Sequence, residues 1–345
     1  MTSRYFIHDQ CLSGEFDKLR GDMAISQKLP EVGIVSYPGA QAASVLGMTD
    51  ILIYADGCAR KKLAGDRPLL RVSHWRMDAE EVPVRIFDTV PDAQENPTVL
   101  IIPPGLGDPI PREIASPYAR WLCLQHAAGT CLSSICKGAF LLGETGLISG
   151  RTVTTHWTYE EALLSRFPDA RVNTDRLVID DGDIITVGGM MAWLDLSLKF
   201  IDRYLGPVVM IETARTFLVD PPGREQSYYS SFSPRLNHGD MPILKVQHWL
   251  QATRARETSL AILAAQAGLE QRTFIRRFRK ATGLTTGDYI QRIRVAKAQE
   301  LLQFTKTTIE QIAWDVAYTD QSAFRKVFGK IVGLTPGEYR QRFGT

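Results

Sequence analysis

The segment Gln271-Arg-Thr-Phe-Ile-Arg-Arg-Phe-Arg-Lys-Ala-Thr-Gly-Leu-Thr-Thr-Gly-Asp-Tyr-Ile-Gln-Arg292 is written again, fifty positions later, from Gln321 to Arg342. Eleven of the twenty-two positions are identical: Gln271, Phe274, Phe278, Lys280, Gly283, Leu284, Thr285, Gly287, Tyr289, Gln291 and Arg292. Upstream the offset falls to forty-nine, so that Leu260, Leu263, Ala264 and Gly268 answer to Ile309, Ile312, Ala313 and Ala317. The second copy therefore has one more residue in its turn. Repetition of this kind means two copies of one supersecondary unit.

Each copy predicts helix, short turn, helix. Leu260, Leu263, Ala264 and Ala267 recur at helical spacing, Gly268 ends that helix, and a second helix carries Phe274 and Phe278. At about 100° per residue the two Phe share one face, while Arg272, Arg276 and Arg279 gather on the other. In the second copy Phe324 and Phe328 face inward, and Ser322 and Lys326 lie opposite, flanked by Gln321 and Arg325. A helix backed by aromatics and faced with Arg, Lys, Gln and Ser suits a DNA major groove. Arg pairs with guanine, Gln with adenine, and Lys or Arg holds phosphates. The candidate DNA contacts are Gln271, Arg272, Thr273, Arg276, Arg279, Gln321, Ser322, Arg325 and Lys326. A helical bundle with a merely solvated basic face is the plain alternative, and the duplication of that face weighs against it. Thr335-Pro-Gly-Glu338 predicts a capped helix start, which Thr285 with Asp288 and Thr307 with Glu310 echo. Thr286 to Phe304 reads as one connecting helix.

Over residues 258–343 the chain resembles the AraC/XylS family of bacterial transcription activators, through Ala-Gly-Leu, Phe-x-Arg-Arg-Phe, Gly-Leu-Thr and Pro-Gly-Glu-Tyr-Arg. The resemblance implies an all-α domain of two helix-turn-helix units joined by a long helix, entering successive major-groove segments of double-stranded promoter DNA. It also implies a homodimer and RNA polymerase as a partner. Ala317 departs from the glycine usual in the family, which leaves that turn either strained or wider.

Of the 40 Lys+Arg and 38 Asp+Glu in 345 residues, 16 and 8 lie in 254–345, leaving 24 and 30 for the rest. A net of +8 against −6 fits a phosphate-binding module tethered to one that binds a small molecule or protein. The length allows two domains with separate cores. Five cysteines (11, 58, 123, 131, 136) at irregular spacing suggest neither a disulfide framework nor a paired metal site. The N-terminus lacks a signal-peptide core, and no run approaches the ~18 apolar residues of a membrane span. A cytoplasmic, nucleoid-associated protein with no cofactor, metal or membrane partner is expected, with 1–29 a loosely ordered extension.

From Glu31 the pattern becomes α/β. Strands are predicted at 32–36, 69–74, 82–87, 98–103, 130–135, 151–156, 177–180 and 184–187, with helices at 42–55, 118–128, 138–144 and 191–205. Alternation of this kind predicts a doubly wound, flavodoxin-like sheet with ligand chemistry at the strand C-ends. Pro221-Pro222-Gly223 marks a linker, and Asp240 can cap the helix that follows it. The expected division is 1–29, a sensor domain over 30–206, a linker over 207–240 and a DNA-binding domain over 241–345.

Ser133-Ser-Ile-Cys-Lys-Gly138 runs a buried strand straight into a helix with Cys136 at the turn, a nucleophile-elbow pattern. The helix N-terminus is expected to depress the thiol pKa, and His156 to approach it. The plain alternative makes both structural residues.

Residues 31–206 resemble the PfpI-type, class I glutamine-amidotransferase-like fold. The resemblance is carried by Leu100–Gly105, the Cys136 elbow, Gly146-Leu-Ile-Ser-Gly-Arg151 into Thr154-Thr-His-Trp157, and Val187-Gly-Gly-Met-Met-Ala-Trp193. Enzymatic relatives generally place His after the nucleophile and Glu beyond the first strand; here Lys137 and Gln41 stand there. The combination with the C-terminal pair resembles the GlxA-like regulators, associated with nitrogen and amine catabolism. It implies an activator whose degenerate, non-catalytic pocket senses a small nitrogenous effector (amine, betaine or amino acid). Candidate pocket residues are Pro104, Gly105, Cys136, His156, Trp157, Gly189, Met190 and Trp193, with the two Trp as possible walls of an amine cage. The competing readings are a cysteine hydrolase or amidase with a DNA-localising tail, and an architectural DNA-binding protein.

Overall fold

The computed structural model describes residues 29–91, 96–221, 223, 225–230, 232, 234, 236, 238–256 and 258–344, so the predicted extension and Cys11 lie outside the described residues. The chain divides into two compact units, one ending at Gln226 and the other beginning at Ser227.

The first unit is built on strands β1 (Glu31–Val35), β2 (Arg71–Met77), β3 (Pro83–Asp88), β4 (Val99–Ile102), β5 (Cys131–Ile135), β8 (Val178–Asp180) and β9 (Ile184–Val187), with β6 (Thr152–Val153) and β7 (Arg171–Val172) forming a small separate pair. The seven-stranded order is β3-β2-β1-β4-β5-β9-β8. The pairings from β2 to β9 are parallel, and β3 and β8 close the edges antiparallel. Successive residues of one strand serve opposite cores. Val99 and Ile101 pack with Met48, Leu52 and Phe200, whereas Leu100 and Ile102 pack with Tyr118, Leu122 and Phe140. Burial on both faces is what a near-continuous run such as Val99–Ile102 requires, and it makes the sheet doubly wound as predicted.

The helix Ala42–Leu63 is long and apolar enough by length and composition to cross a membrane. Its Met48, Ile51, Leu52 and Ala55 are nevertheless buried against the sheet, so its hydropathy is that of a core helix. A buried ion cluster ties the sheet's β1, β2 and β3 together. Arg71, 1% exposed, pairs with Glu31 at 2.9 Å and donates from Nε to Asp88 at 2.9 Å.

Two expectations change here. The strand predicted over 151–156 stops at Val153, because His156 caps a 3-10 helix, Trp157–Tyr159, by accepting from Thr158 N. The linker expected from 207 opens instead on a helix, Pro207–Phe217, whose Val209 and Ala214 join the first unit's core. Pro207 stands at the helix start, where its fixed φ and missing N–H suit the first turn.

The second unit is helical: Met241–Ala252, Leu260–Ala267, Gln271–Thr282, Thr286–Phe304, Ile309–Asp315, Gln321–Val332 and Pro336–Phe343. The repeat gives two cores of matching construction. In one, Tyr289 meets Phe278 edge-on at 5.2 Å; in the other, Tyr339 meets Phe328 edge-on at 5.6 Å. Thr335 and Glu338 form the capping box, Asp240 and Thr285 cap as expected, and Thr308 rather than Thr307 caps its helix. Gly268 turns with φ 64°, and its counterpart Ala317 adopts φ 61°. Ala317 is thus a strained residue in the left-handed region, with the longer turn following it.

Candidate functional site

The strand order reverses between β1 and β4, and crevices for ligands lie beyond the strand C-ends at such a point. The chain leaving β1 and the chain leaving β4 are laced together there. Tyr37 Oη donates to Pro103 O at 2.8 Å, Gln41 N to Pro104 O at 2.7 Å, and Leu106 N to Gly39 O at 3.0 Å, while Ala40 bridges Gly105. Pro104 and Gly105 therefore form a fixed rim.

Cys136 follows β5 with φ 53° and is fully buried. Its strained turn is held by its N–H on Val187 O (2.7 Å) and by Thr155 Oγ1 donating to its carbonyl (2.7 Å). Gly138 allows the turn to seat, since a Cβ there would lie 2.5 Å from Ile102 O. The elbow is as predicted, but the thiol chemistry is not. Burial pushes the Cys136 thiol pKa up, outweighing the Lys137 and His156 backbone N–H groups and the Lys137 charge that favour thiolate. The depression expected from the following helix, Gly138–Gly143, is thus outweighed by desolvation.

Lys137 is buried, and its Nζ donates to Leu106 O at 3.1 Å and to Gly107 O, 5.3 Å from the Tyr159 ring centre. Lys137 Nζ is thus engaged by two backbone carbonyls of the loop after β4. His156 turns its Nδ1 to Thr158 Oγ1 (2.8 Å), and burial followed by the Lys137 charge holds its pKa below the usual imidazole value. It is the His156 backbone N–H, not its ring, that favours the thiolate of Cys136. Gln41 begins the helix Ala42–Leu63 with its Oε1 buried and unpaired.

The remaining candidates take separate places. Trp157 stacks on His156 at 5.4 Å. Trp193 lies in the core over Gly47, where a Cβ would approach its ring to 2.5 Å, and its Nε1 is buried without a partner. No ring contact joins Trp157 to Trp193 among the described residues. Gly189 turns with φ 81°, and Met190 packs at the edge of the same core.

A residue the sequence did not single out lies nearby. Gln226 is 3% exposed, and its Nε2 donates to Thr154 Oγ1 (3.0 Å), Thr155 O (2.9 Å) and Arg176 O (2.9 Å). Its Oε1 is buried and unpaired. Glu225 beside it accepts from Leu177 N at 3.0 Å and Arg176 Nη1 at 2.7 Å. Thr155 thus touches both Cys136 and Gln226. Standing in a Pro-Gly-rich segment, Glu225 and Gln226 carry no pattern that marks them.

In the helical unit, Gln271, Arg272, Arg276 and Arg279 are exposed on one helix and Ser322, Arg325 and Lys326 on the other; Thr273 and Gln321 are half-buried. Phe274, Phe278, Phe324 and Phe328 are fully buried behind them. Arg277 is diverted from this face, its guanidinium paired with Asp240 at 2.7 and 2.9 Å. Asp320 caps the second helix by accepting from Ser322 N and Ala323 N, which fixes where Gln321 and Ser322 start.

Residues 78–203 match the DJ-1/PfpI family, and residues 263–342 match a helix-turn-helix domain family. The chain is thus similar to DJ-1/PfpI proteins in its first unit and to helix-turn-helix proteins in its second. It is 30% identical over 199 residues to the HTH-type transcriptional regulator GlxA of Rhizobium meliloti, a match spanning 57% of this chain and 60% of that one. It is 25% identical over 214 residues to the HTH-type transcriptional regulator CdhR of Pseudomonas aeruginosa, spanning 62% and 63%. The chain thus matches about three fifths of the length of these regulators. A shorter stretch of 84 residues is 36% identical to the isonitrile hydratase of Pseudomonas putida, covering 24% of this chain and 35% of that one. The DJ-1/PfpI match spans the Cys136 elbow, and the helix-turn-helix match spans both basic helices.

Proposed function

We propose that this protein is a transcription regulator, an activator acting with RNA polymerase as a cytoplasmic homodimer. Its helices Gln271–Thr282 and Gln321–Val332 lie in successive major-groove segments of promoter DNA. Gln271, Arg272, Thr273, Arg276, Arg279, Gln321, Ser322, Arg325 and Lys326 make the contacts. The DJ-1/PfpI domain binds a small nitrogenous metabolite at Pro104, Gly105, Cys136, His156, Trp157, Gly189, Met190 and Trp193 and leaves it unchanged. The observation that carries the sensor reading is Lys137, whose ammonium is committed to the carbonyls of Leu106 and Gly107 beside a thiol that burial keeps protonated. A nucleophile needs an adjacent base or a depressed pKa, and this arrangement supplies neither. Control by the metabolite follows if it binds one state of the Thr155–Gln226 contact more tightly than the other.

The reading is tested by selecting bound duplexes from a random pool with the full chain, then titrating one selected duplex over a range of salt. Enrichment of a motif and a linear fall of log K with log salt are expected. Calorimetry with betaines, carnitine and basic amino acids tests the sensor half, and heat from none of them removes the nitrogenous effector.

The likeness to isonitrile hydratase favours a second reading, a cysteine-dependent hydratase or hydrolase carrying a DNA-localising tail. Turnover of an isonitrile or amide that is lost in Cys136→Ala, with DNA binding intact, would establish it.

A further inference from the structure

The two recognition helices are built alike yet present different chemistry at one matched position. Ile275 and Arg325 stand fifty residues apart at the same place in the repeat. Ile275 is 47% exposed and belongs to neither the buried core of its half nor the apolar residues packed around it. At about 100° per residue it falls inside the basic arc, between Gln271 on one side and Arg272, Arg276 and Arg279 on the other. A branched aliphatic among four exposed polar side chains gains nothing from water, and it can be desolvated only by what docks on that face. Arg325 is also exposed, its side chain 52% accessible and resting 3.4 Å from Glu310 Oε1, a contact weak enough to exchange for a base.

Resting on the DNA-binding reading above, we propose that Ile275 reads the 5-methyl group of a thymine while Arg325 reads the N7/O6 edge of a guanine at the corresponding place in the next groove segment. Among base edges in the major groove, thymine alone offers a methyl group, and guanine alone offers the paired acceptors a guanidinium grips. The two half-sites are consequently unlike, and the binding site has a direction although the protein repeat does not. Other matched positions add to this asymmetry: Arg272 against Ser322, and Arg279 against Gly329.

The test uses the full chain and a duplex chosen by selection from a random pool. Each thymine is replaced singly by deoxyuridine, which removes only the methyl, and each guanine by 7-deazaguanine, which removes only N7. Affinities are measured at one fixed salt concentration. One deoxyuridine is expected to weaken the wild-type protein about fourfold, as loss of one buried methyl-sized group does, to leave Ile275→Ala unaffected, and to weaken Ile275→Val as it does the wild type. One 7-deazaguanine, about one helical turn away, is expected to weaken the wild type about tenfold and to leave Arg325→Ala unaffected. Wild type and Ile275→Ala responding alike at every thymine, or wild type and Arg325→Ala responding alike at every guanine, overturns the assignment while leaving DNA binding in place. A pool that enriches no motif sinks the DNA-binding reading and this one with it. Circular dichroism of each variant checks that the exposed substitutions leave the helices folded.

Discussion

Gly188 and Gln226 compete for one space: a Cβ built on Gly188 would lie 1.9 Å from Gln226 Nε2. The absence of a side chain at one position is therefore what lets the amide at the other reach Thr154, Thr155 and Arg176. Gly188→Ala and Gln226→Ala should each lower the stability of the DJ-1/PfpI domain by about 1–3 kcal/mol, the cost of leaving buried polar groups unmatched. Adding Gly188→Ala to Gln226→Ala should cost much less than it does alone, because the collision is gone. Urea denaturation of the four proteins measures this. Additive losses would show that the two residues are not coupled.

Cys136 should resist alkylation. With the side chain inaccessible and its pKa raised by burial, iodoacetamide at neutral pH should leave it unmodified in the native protein and label it once denaturant is added. Peptide mass mapping reads this directly. A folded-state pKa above the unfolded one favours folding while the thiol is neutral, so the contribution is full below the ordinary thiol pKa and fades as pH climbs through the raised value. Rapid native labelling at pH 7 would instead favour the hydratase reading.

Ala317 should welcome a glycine. At φ 61° an alanine is strained by roughly 1–2 kcal/mol, against which glycine loses about 0.5–1 kcal/mol of chain entropy. Ala317→Gly is thus expected to stabilise the helix-turn-helix domain slightly, by up to about 1 kcal/mol. Gly268→Ala, at φ 64°, should destabilise it by a similar amount. Thermal melts of the two variants should move in opposite directions.

Arg71 should be far less forgiving. Replacing it with Met leaves the buried Glu31 carboxylate, 1% exposed, and Asp88 with Arg85 as their shared cation among the described residues. Breaking a buried pair from one side costs about 3–5 kcal/mol. The first unit of Arg71→Met should therefore melt well below that of the wild type, in calorimetric scans, while the second unit melts unchanged.

Much of this arrangement could be read from residues. The fifty-residue repeat fixes both recognition helices, because paired Phe residues at helical spacing leave only one face to the arginines. The elbow at Cys136 follows from a buried strand meeting Gly138, and the structure adds the backbone carbonyls that forbid any larger residue. Thiol acidity was misjudged because a pattern shows the helix that follows Cys136 but not the depth at which the sulfur sits. Likewise the stretch from 207 reads as linker but folds as a helix, since the sequence alone does not say whether Val209 and Ala214 find a core to join. Gln226 was beyond reach, as its partners are a hydroxyl and two carbonyls contributed by distant stretches of chain.

The grip on the Gln226 amide is made of uncharged groups, with one hydroxyl and two carbonyls facing one carboxamide. Dissolved ions barely perturb such contacts, whereas a basic helix against a polyanion feels every change in ionic strength. The Gln226 contact should accordingly persist over a range of salt that would alter the hold of any polyanion on the basic helices.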